Sequence, residues 1–385
     1  ETVDAVGANR YYGWYYGAPH ELGSHLDGLR KKRPNQPISI SEIGAGGAAN
    51  MYSDNPLGGP IESAGRTQPE AFFSWYHEES WKVMKDRRDL WGIWLWNGFD
   101  FGTTVRREGD AQDINTKGIV TYDRKIRKDI FYFYRANWSD KPTVHINGRR
   151  YVDRAYPVTD VRVYSNAPET ALTVNGREIG SLTDCPDAVC VWPAVRLKEG
   201  NNEIMARGAF QSGPVVDRIA WTVDPNQAFS FRIDSGALIA AKTDVQFGSD
   251  DFFVGGSAGS TDQPGGRGRK AVLAEISGTD RRDVVASFRR GSDFKYRIPA
   301  ANGRYRVTLS FVEPDKTVGE RVFDVSANGA PVLKGYDVHA RAGGLRTAVR
   351  EQFEADVTGQ MLELHFRASA GEALVSAIEV EPLGN

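Results

Sequence analysis

Apolar and polar positions along the chain fall into three successive rhythms. In residues 1–140, short apolar runs alternate with longer stretches of helical spacing. Val3–Asn9, Ile38–Ile43 and Leu90–Trp96 read as strands, the last as a buried one. Residues 69–88 carry the spacing of a helix with Pro69 near its first turn, and Lys125–Trp138 reads as a final helix. Strand and helix in alternation predict a parallel α/β sheet or barrel. Across 141–226 the rhythm shortens to strands at Val161–Tyr164, Leu172–Ile179, Val191–Trp192, Asn202–Arg207 and Asp217–Val223, with a hairpin signal at Asn175-Gly176. That predicts a small β-sandwich. In 227–385, beyond a Gly/Ser/Pro/Arg-rich loop (255–269), further strands are expected at Tyr305–Phe311, Glu320–Ser326, Met361–Phe366 and Ala377–Val380, with a turn at Asn328-Gly329. The expected fold class is multidomain, α/β followed by all-β.

Within the first region one carboxylate stands out. Pro37-Ile-Ser-Ile-Ser-Glu-Ile-Gly44 carries Glu42 to the end of a strand, and the strand at Leu90–Trp96 ends among Trp91, Trp94, Trp96 and Asn97. A carboxylate at a strand's C-terminal end beside aromatic side chains is what a retaining glycosidase requires of its nucleophile. The competing reading is an ordinary strand-end carboxylate. For Trp96 the competing reading is core packing, since some of the three Trp must face inward.

Composition narrows the classes. A net charge of -2 over 385 residues provides no field to recruit nucleic acid or an anionic membrane. No apolar run approaches the roughly 18 residues of a membrane helix. The chain opens on Glu1 without a leader, the expectation being a mature, trimmed or partial chain. Cys185 and Cys190, five apart, leave two readings open: a small loop disulfide or two thiols. The six His show no His-Glu-x-x-His spacing, so neither a bound metal nor a cofactor is expected. Gly44–Ala49 imitates a dinucleotide fingerprint, but loop-forming residues follow where a helix is required. Gly255–Gly259 imitates a nucleophile elbow with the same defect. The Arg-rich patches at 267–270, 281–282 and 289–290 read as solvated loops.

Four motifs, in order, resemble glycoside hydrolase family 2, the β-galactosidase and β-glucuronidase family. They are Asn9-Arg-Tyr-Tyr-Gly-Trp-Tyr15, Ile40-Ser-Glu-Ile-Gly44, Trp94-Leu-Trp-Asn-Gly-Phe-Asp-Phe101 and Asn115-Thr-Lys-Gly-Ile-Val-Thr-Tyr-Asp-Arg124. The resemblance implies that 1–140 are the C-terminal part of a (β/α)8 TIM barrel. Residues 141–226 look like the immunoglobulin-like domain that follows it in such enzymes. Residues 227–385 resemble a malectin-type carbohydrate-binding domain, through Gly319-Glu-Arg-Val-Phe-Asp-Val325 and Val375-Ser-Ala-Ile-Glu-Val380.

Carried onto this chain, the resemblance makes Glu42 the nucleophile and Tyr11 the residue that orients it. It places Asn9, Trp96, Asn115 and Lys117 against substrate. Asn115 and Lys117 form the Asn-x-Lys pattern that reads a glucuronide carboxylate in β-glucuronidases, yet the pattern also occurs in galactosidases. The two trailing domains and Thr121-Tyr-Asp-Arg124 favour a β-galactoside. The family's acid/base sits in an Asn-Glu pair on an earlier strand, a pair this chain is expected to lack. A (β/α)8 barrel typically needs about 250 residues, so the remaining strands are expected from another chain or segment as a partner. A non-catalytic carbohydrate-binding fragment is the alternative. Relatives of this architecture are usually exported, which implies a periplasmic or extracellular location. Tyr296, Phe323 and Tyr336 are candidates for stacking on glycans, or else core residues.

Overall fold

The computed structural model describes residues 3–59, 68–104, 113–225, 230–263 and 271–384. The first region is built from strand β1 (Val6–Asn9), helix α1 (Glu21–Lys32), β2 (Ile38–Ile43), α2 (Glu70–Met84) and β3 (Leu90–Leu95). A short pair, β4 (Phe101–Gly102) and β5 (Ile114–Asn115), and α3 (Asp129–Trp138) follow. β1, β2 and β3 form one sheet in sequence order, and both pairings are parallel. β2 is the middle strand, so Ile38, Ser39 and Ile40 are buried on both faces. The helices bury Leu22, Leu26, Phe72, Phe73, Tyr76, Ile130 and Phe133 in a common core with Ile40 and Ile43.

Two expectations shift here. β3 is not buried: Trp91 is 59% and Trp94 45% exposed, because among the described residues β3 is an edge strand. The last helix begins at Asp129 instead of Lys125. Asp123 takes the Thr121 hydroxyl and the Lys125 amide in a turn, while Lys128 points inward to Asp100.

The second region is a two-sheet sandwich. β6 (Val144–Ile146), β7 (Asp153–Arg154), β8 (Val158–Ser165), β9 (Glu169–Val174), β10 (Arg177–Leu182), β11 (Val189–Arg196), β12 (Gly200–Ala209) and β13 (Val215–Val223) divide into orders β10-β9-β12-β13-β7 and β11-β8-β6. Val161, Val163, Leu172, Ile204 and Trp221 fill the space between them. Asn175 and Gly176 both take positive φ in the β9–β10 hairpin, as the sequence predicts. Cys185 and Cys190 are bridged across the turn before β11.

The third region pairs Phe231–Asp234, Ala377–Pro382, Gly303–Val312 and Ala348–Val357 in one sheet. A second sheet joins Phe253–Val254, Asp293–Ile298, Leu362–Ala370, Val322–Ala327 and Ala330–Tyr336. Tyr296, Phe323 and Tyr336 lie in the core between them, which removes all three as glycan-stacking platforms. Arg289 is also no solvated residue: it is buried on Asp250 at 2.7 Å. Arg281 and Arg282 pair with Asp244 and Asp262, and 267–270 lie outside the described residues.

Candidate active site

Parallel β/α units present their functional side chains at the strands' C-terminal ends. Glu42 stands at that end of β2, in register with Asn9 at the end of β1. The chain leaves β1 through a compact turn in which Trp14 N–H donates to Tyr11 O and Gly13 N–H to Tyr16 O. This turn aims the Tyr11 hydroxyl at Glu42, donating to Oε2 at 2.7 Å. Burial, and then the bond to Glu42, push the phenol well above its ordinary pKa. Tyr11 is thereby kept as a donor to the carboxylate.

The neighbouring strand is tied in by Trp96 N–H donating to Ile43 O at 2.8 Å. A Cβ on Gly44 would stand 2.0 Å from the Trp96 carbonyl oxygen, so this crossing requires glycine. The Trp96–Asn97 peptide is cis, and the half-buried Trp96 ring meets Phe101 edge-on at 5.9 Å.

Asn115 and Lys117 arrive on the strand and loop that return beside this crossing. Asn115 is buried, and its Oδ1 accepts the Lys117 N–H at 3.1 Å, so the amide braces its own turn. The Lys117 carbonyl takes the Asn97 N–H. Lys117 is 2% exposed, and its Nζ lies 3.6 Å from the Trp14 ring centroid. The Tyr15 and Tyr11 rings stand 5.3 and 5.5 Å away. The aromatic quadrupoles attract a cation so placed and offset part of the cost of its burial.

The structure therefore brings Tyr11 and Glu42 into contact, sets Asn9 beside them by register, and places the Lys117 ammonium within 5.5 Å of the Tyr11 ring centre. Trp96 reaches the site through its backbone link to β2. The Asn115 side-chain oxygen is used within its own turn, on the Lys117 amide. Trp14 is the residue that sequence reasoning missed. Its signal was its place three residues after Tyr11, in the turn that joins the two. The expectation that the chain lacks an Asn-Glu pair is corrected by Asn202-Glu203, which lies on β12 of the sandwich, outside the first region. Asn202 is buried with its amide on Lys198 and Gly200, and Glu203 faces solvent. A cavity of about 490 Å³ opens away from Glu42, where the three regions meet, beside Met51, Trp75, Arg150 and Phe252.

Residues 229–381 match the Malectin domain family, and 157–217 match a domain of unknown function, DUF4982. A Bacteroides fragilis protein named beta-glucuronidase is 42% identical over 203 residues, 52% of this chain and 29% of that protein. Beta-galactosidase BoGH2A of Bacteroides ovatus is 29% identical over 140 residues, 36% of this chain and 16% of the relative. The crystal structure of Bacteroides uniformis beta-glucuronidase superposes with a TM-score of 0.57 at 22% identity. That likeness, which is one of fold, covers 99% of this chain and 46% of the other. The chain's homologues are thus glycoside hydrolases of the family 2 type, and the chain spans less than a third of those two curated relatives.

Proposed function

We propose that this chain carries the nucleophile of a retaining β-glycosidase, with Glu42 as the attacking carboxylate. The observation that carries the reading is the 2.7 Å bond from the buried Tyr11 hydroxyl to Glu42 at the end of a central parallel strand. In double displacement, a Glu42 oxygen attacks the anomeric carbon and displaces the leaving oxygen, giving a glycosyl-enzyme. Water then cleaves it with retention. A second carboxyl, about 5–5.5 Å from the nucleophile, protonates the leaving oxygen and later activates the water. We assign it to strands that complete a (β/α)8 barrel against the open edges of β1 and β3, supplied by another chain or segment. The bridged Cys185–Cys190 pair supports work in an oxidising compartment, periplasmic or extracellular.

The sequence-level preference for galactose does not carry over unchanged. Relatives named for β-glucuronides stand beside one named for β-galactosides, and Lys117 places a cation 5.5 Å from the ring of Tyr11, the residue that holds Glu42. A glucuronide carboxylate would gain a charge-assisted bond there. We take a β-D-glucuronide as the first substrate reading and a β-D-galactoside as the second. The test uses 2-deoxy-2-fluoro glucuronyl and galactosyl reagents with activated leaving groups, which need no general acid. A mass shift on the Glu42 peptide identifies nucleophile and sugar together. No shift on folded protein would leave the chain as a carbohydrate-binding piece.

Two substitutions sharpen the reading. Tyr11→Phe removes one hydrogen bond to a charged group, worth about 1.5–3 kcal/mol. Labelling should slow by roughly ten- to a hundredfold, with the circular dichroism spectrum unchanged. An unaltered labelling rate would remove Tyr11 from the site. Lys117→Gln should weaken glucuronyl labelling at least about tenfold more than galactosyl labelling, the loss of one charge-assisted bond. Equal loss with both reagents would restrict Lys117 to packing.

A further inference from the structure

The loop that leaves the Glu42 strand does not close over its own region. It runs to the third region and is fastened there at four successive positions. Tyr52 O accepts the Ala240 N–H at 3.0 Å. Asp54 N–H donates to Ser249 Oγ at 2.7 Å, and Ser249 N–H returns a bond to Asp54 Oδ2 at 2.9 Å. Asn55 Nδ2 donates to Asp251 Oδ1 at 3.0 Å while its own Oδ1 takes the Leu57 amide. Gly58 O accepts from the buried Arg289, whose other nitrogens are held by Asp250 and the Gly255 and Gly256 carbonyls. Leu238 inserts into the core of the first region, and a Cβ on Gly59 would stand 2.5 Å from it.

Between Glu42 and this seam there is little slack. A Cβ on Gly44, Gly46 or Gly47 would collide with the Trp96 carbonyl, the Trp14 ring and the Phe73 side chain in turn, and Ala45 and Ala48 are fully buried. Displacement at 51–59 therefore reaches the end of β2 through a packed segment. Among the described residues of the third region, meanwhile, no aromatic side chain is exposed. Its tyrosines and most of its phenylalanines are committed to cores or, as with Phe253 under Arg289, to holding a buried ion pair.

We infer that the malectin-like region works in this chain as a brace that fixes the loop following the Glu42 strand, with the Asp54–Ser249 exchange and the Asn55–Asp251 bond as its joint. The region thereby becomes a structural part of the segment that leaves β2. The inference stands whether or not Glu42 is a nucleophile, because it concerns the order of a segment.

Hydrogen–deuterium exchange on the whole chain tests it. Ser249→Ala and Asn55→Ala, separately and together, should raise exchange across 44–59 by about tenfold or more relative to the unsubstituted chain. Protection of Gly303–Val312, at the centre of the third region, should stay unchanged and so report that the region remains folded. An unchanged rate at 44–59 in the double variant would overturn the brace. So would rapid exchange there in the unsubstituted chain. If the double variant loses protection at Gly303–Val312, Asn55→Ala alone decides by the same criterion, since Asn55 lies outside the third region.

Discussion

Glu42→Gln should abolish covalent labelling by a fluorosugar reagent, lowering its rate by at least about 10³-fold, equivalent to roughly 4 kcal/mol of transition-state stabilisation. A carboxylamide keeps the shape of the side chain and an oxygen for the Tyr11 hydroxyl, but it has no anionic oxygen with which to form the glycosyl ester. Glu42 is only half-buried, so thermal stability should remain near that of the unsubstituted chain. Peptide mapping after labelling checks both points. Persistence of the adduct on another carboxylate at the original rate would transfer the nucleophile elsewhere. Loss of labelling together with loss of fold would be repeated with Glu42→Asp, which keeps the charge and withdraws it by one methylene.

The second large effect concerns the joint between the first two regions. Glu70, at the start of α2, accepts the Asp129 amide at 2.6 Å and thereby caps α3. Arg150 of the second region binds both carboxylates, with Nε on Glu70 at 2.8 Å and an NH2 contact to Asp129 at 3.0 Å. Burial, followed by the charge of Asp129, raises the Glu70 pKa above the ordinary carboxylate range. Burial also opposes ionisation of Asp129, but the bond from His145 overcomes it and holds Asp129 low.

Arg150→Met leaves two carboxylates facing each other in a buried site, which should cost about 3–5 kcal/mol near pH 8. The sign with pH follows from Glu70. A carboxyl whose folded pKa is raised binds more protons in the folded chain, so its contribution is full below the unfolded value, near about 4.3, and is lost as pH rises through the raised one. In the variant that loss grows, because the counter-charge has gone. Denaturation at pH 5 and pH 8 should therefore show a clearly smaller penalty at pH 5. An equal penalty at both would mean that Arg150 acts by packing alone.

The Glu42 strand and its terminal carboxylate were legible because both are local. Ile38–Ile43 is a short apolar strand with one charge at its end, and the structure reproduces its limits. The hairpins at Asn175-Gly176 and Asn328-Gly329 were equally readable, since positive φ at both positions is encoded by the two residues themselves. Trp91 and Trp94 misled because periodicity reports apolar character and carries no information on whether a neighbouring strand is present. Tyr296, Phe323 and Tyr336 alternate along strands in a way that fits either a core or an exposed face, and the opposing sheet decides. Cys185 and Cys190 could not be paired from spacing alone. Nor could the Asp54–Ser249 joint be foreseen: its partners lie 195 residues apart and are ordinary polar residues in sequence. Lys117 was identified, but its seat on Trp14 depends on a turn brought in from the other end of the region.

The three-stranded sheet has a colloidal consequence. Among the described residues, β1 and β3 each present an unpaired parallel edge, and Trp91 and Trp94 pack against each other on the second, with ring centroids 4.9 Å apart. Free backbone donors and acceptors next to solvent-facing indoles form a template for any other extended segment. Whatever occupies those edges, whether complementary strands or another copy of the same sheet, competes for the same hydrogen bonds. Self-association through these edges and the placement of Glu42 therefore draw on the same three-stranded sheet.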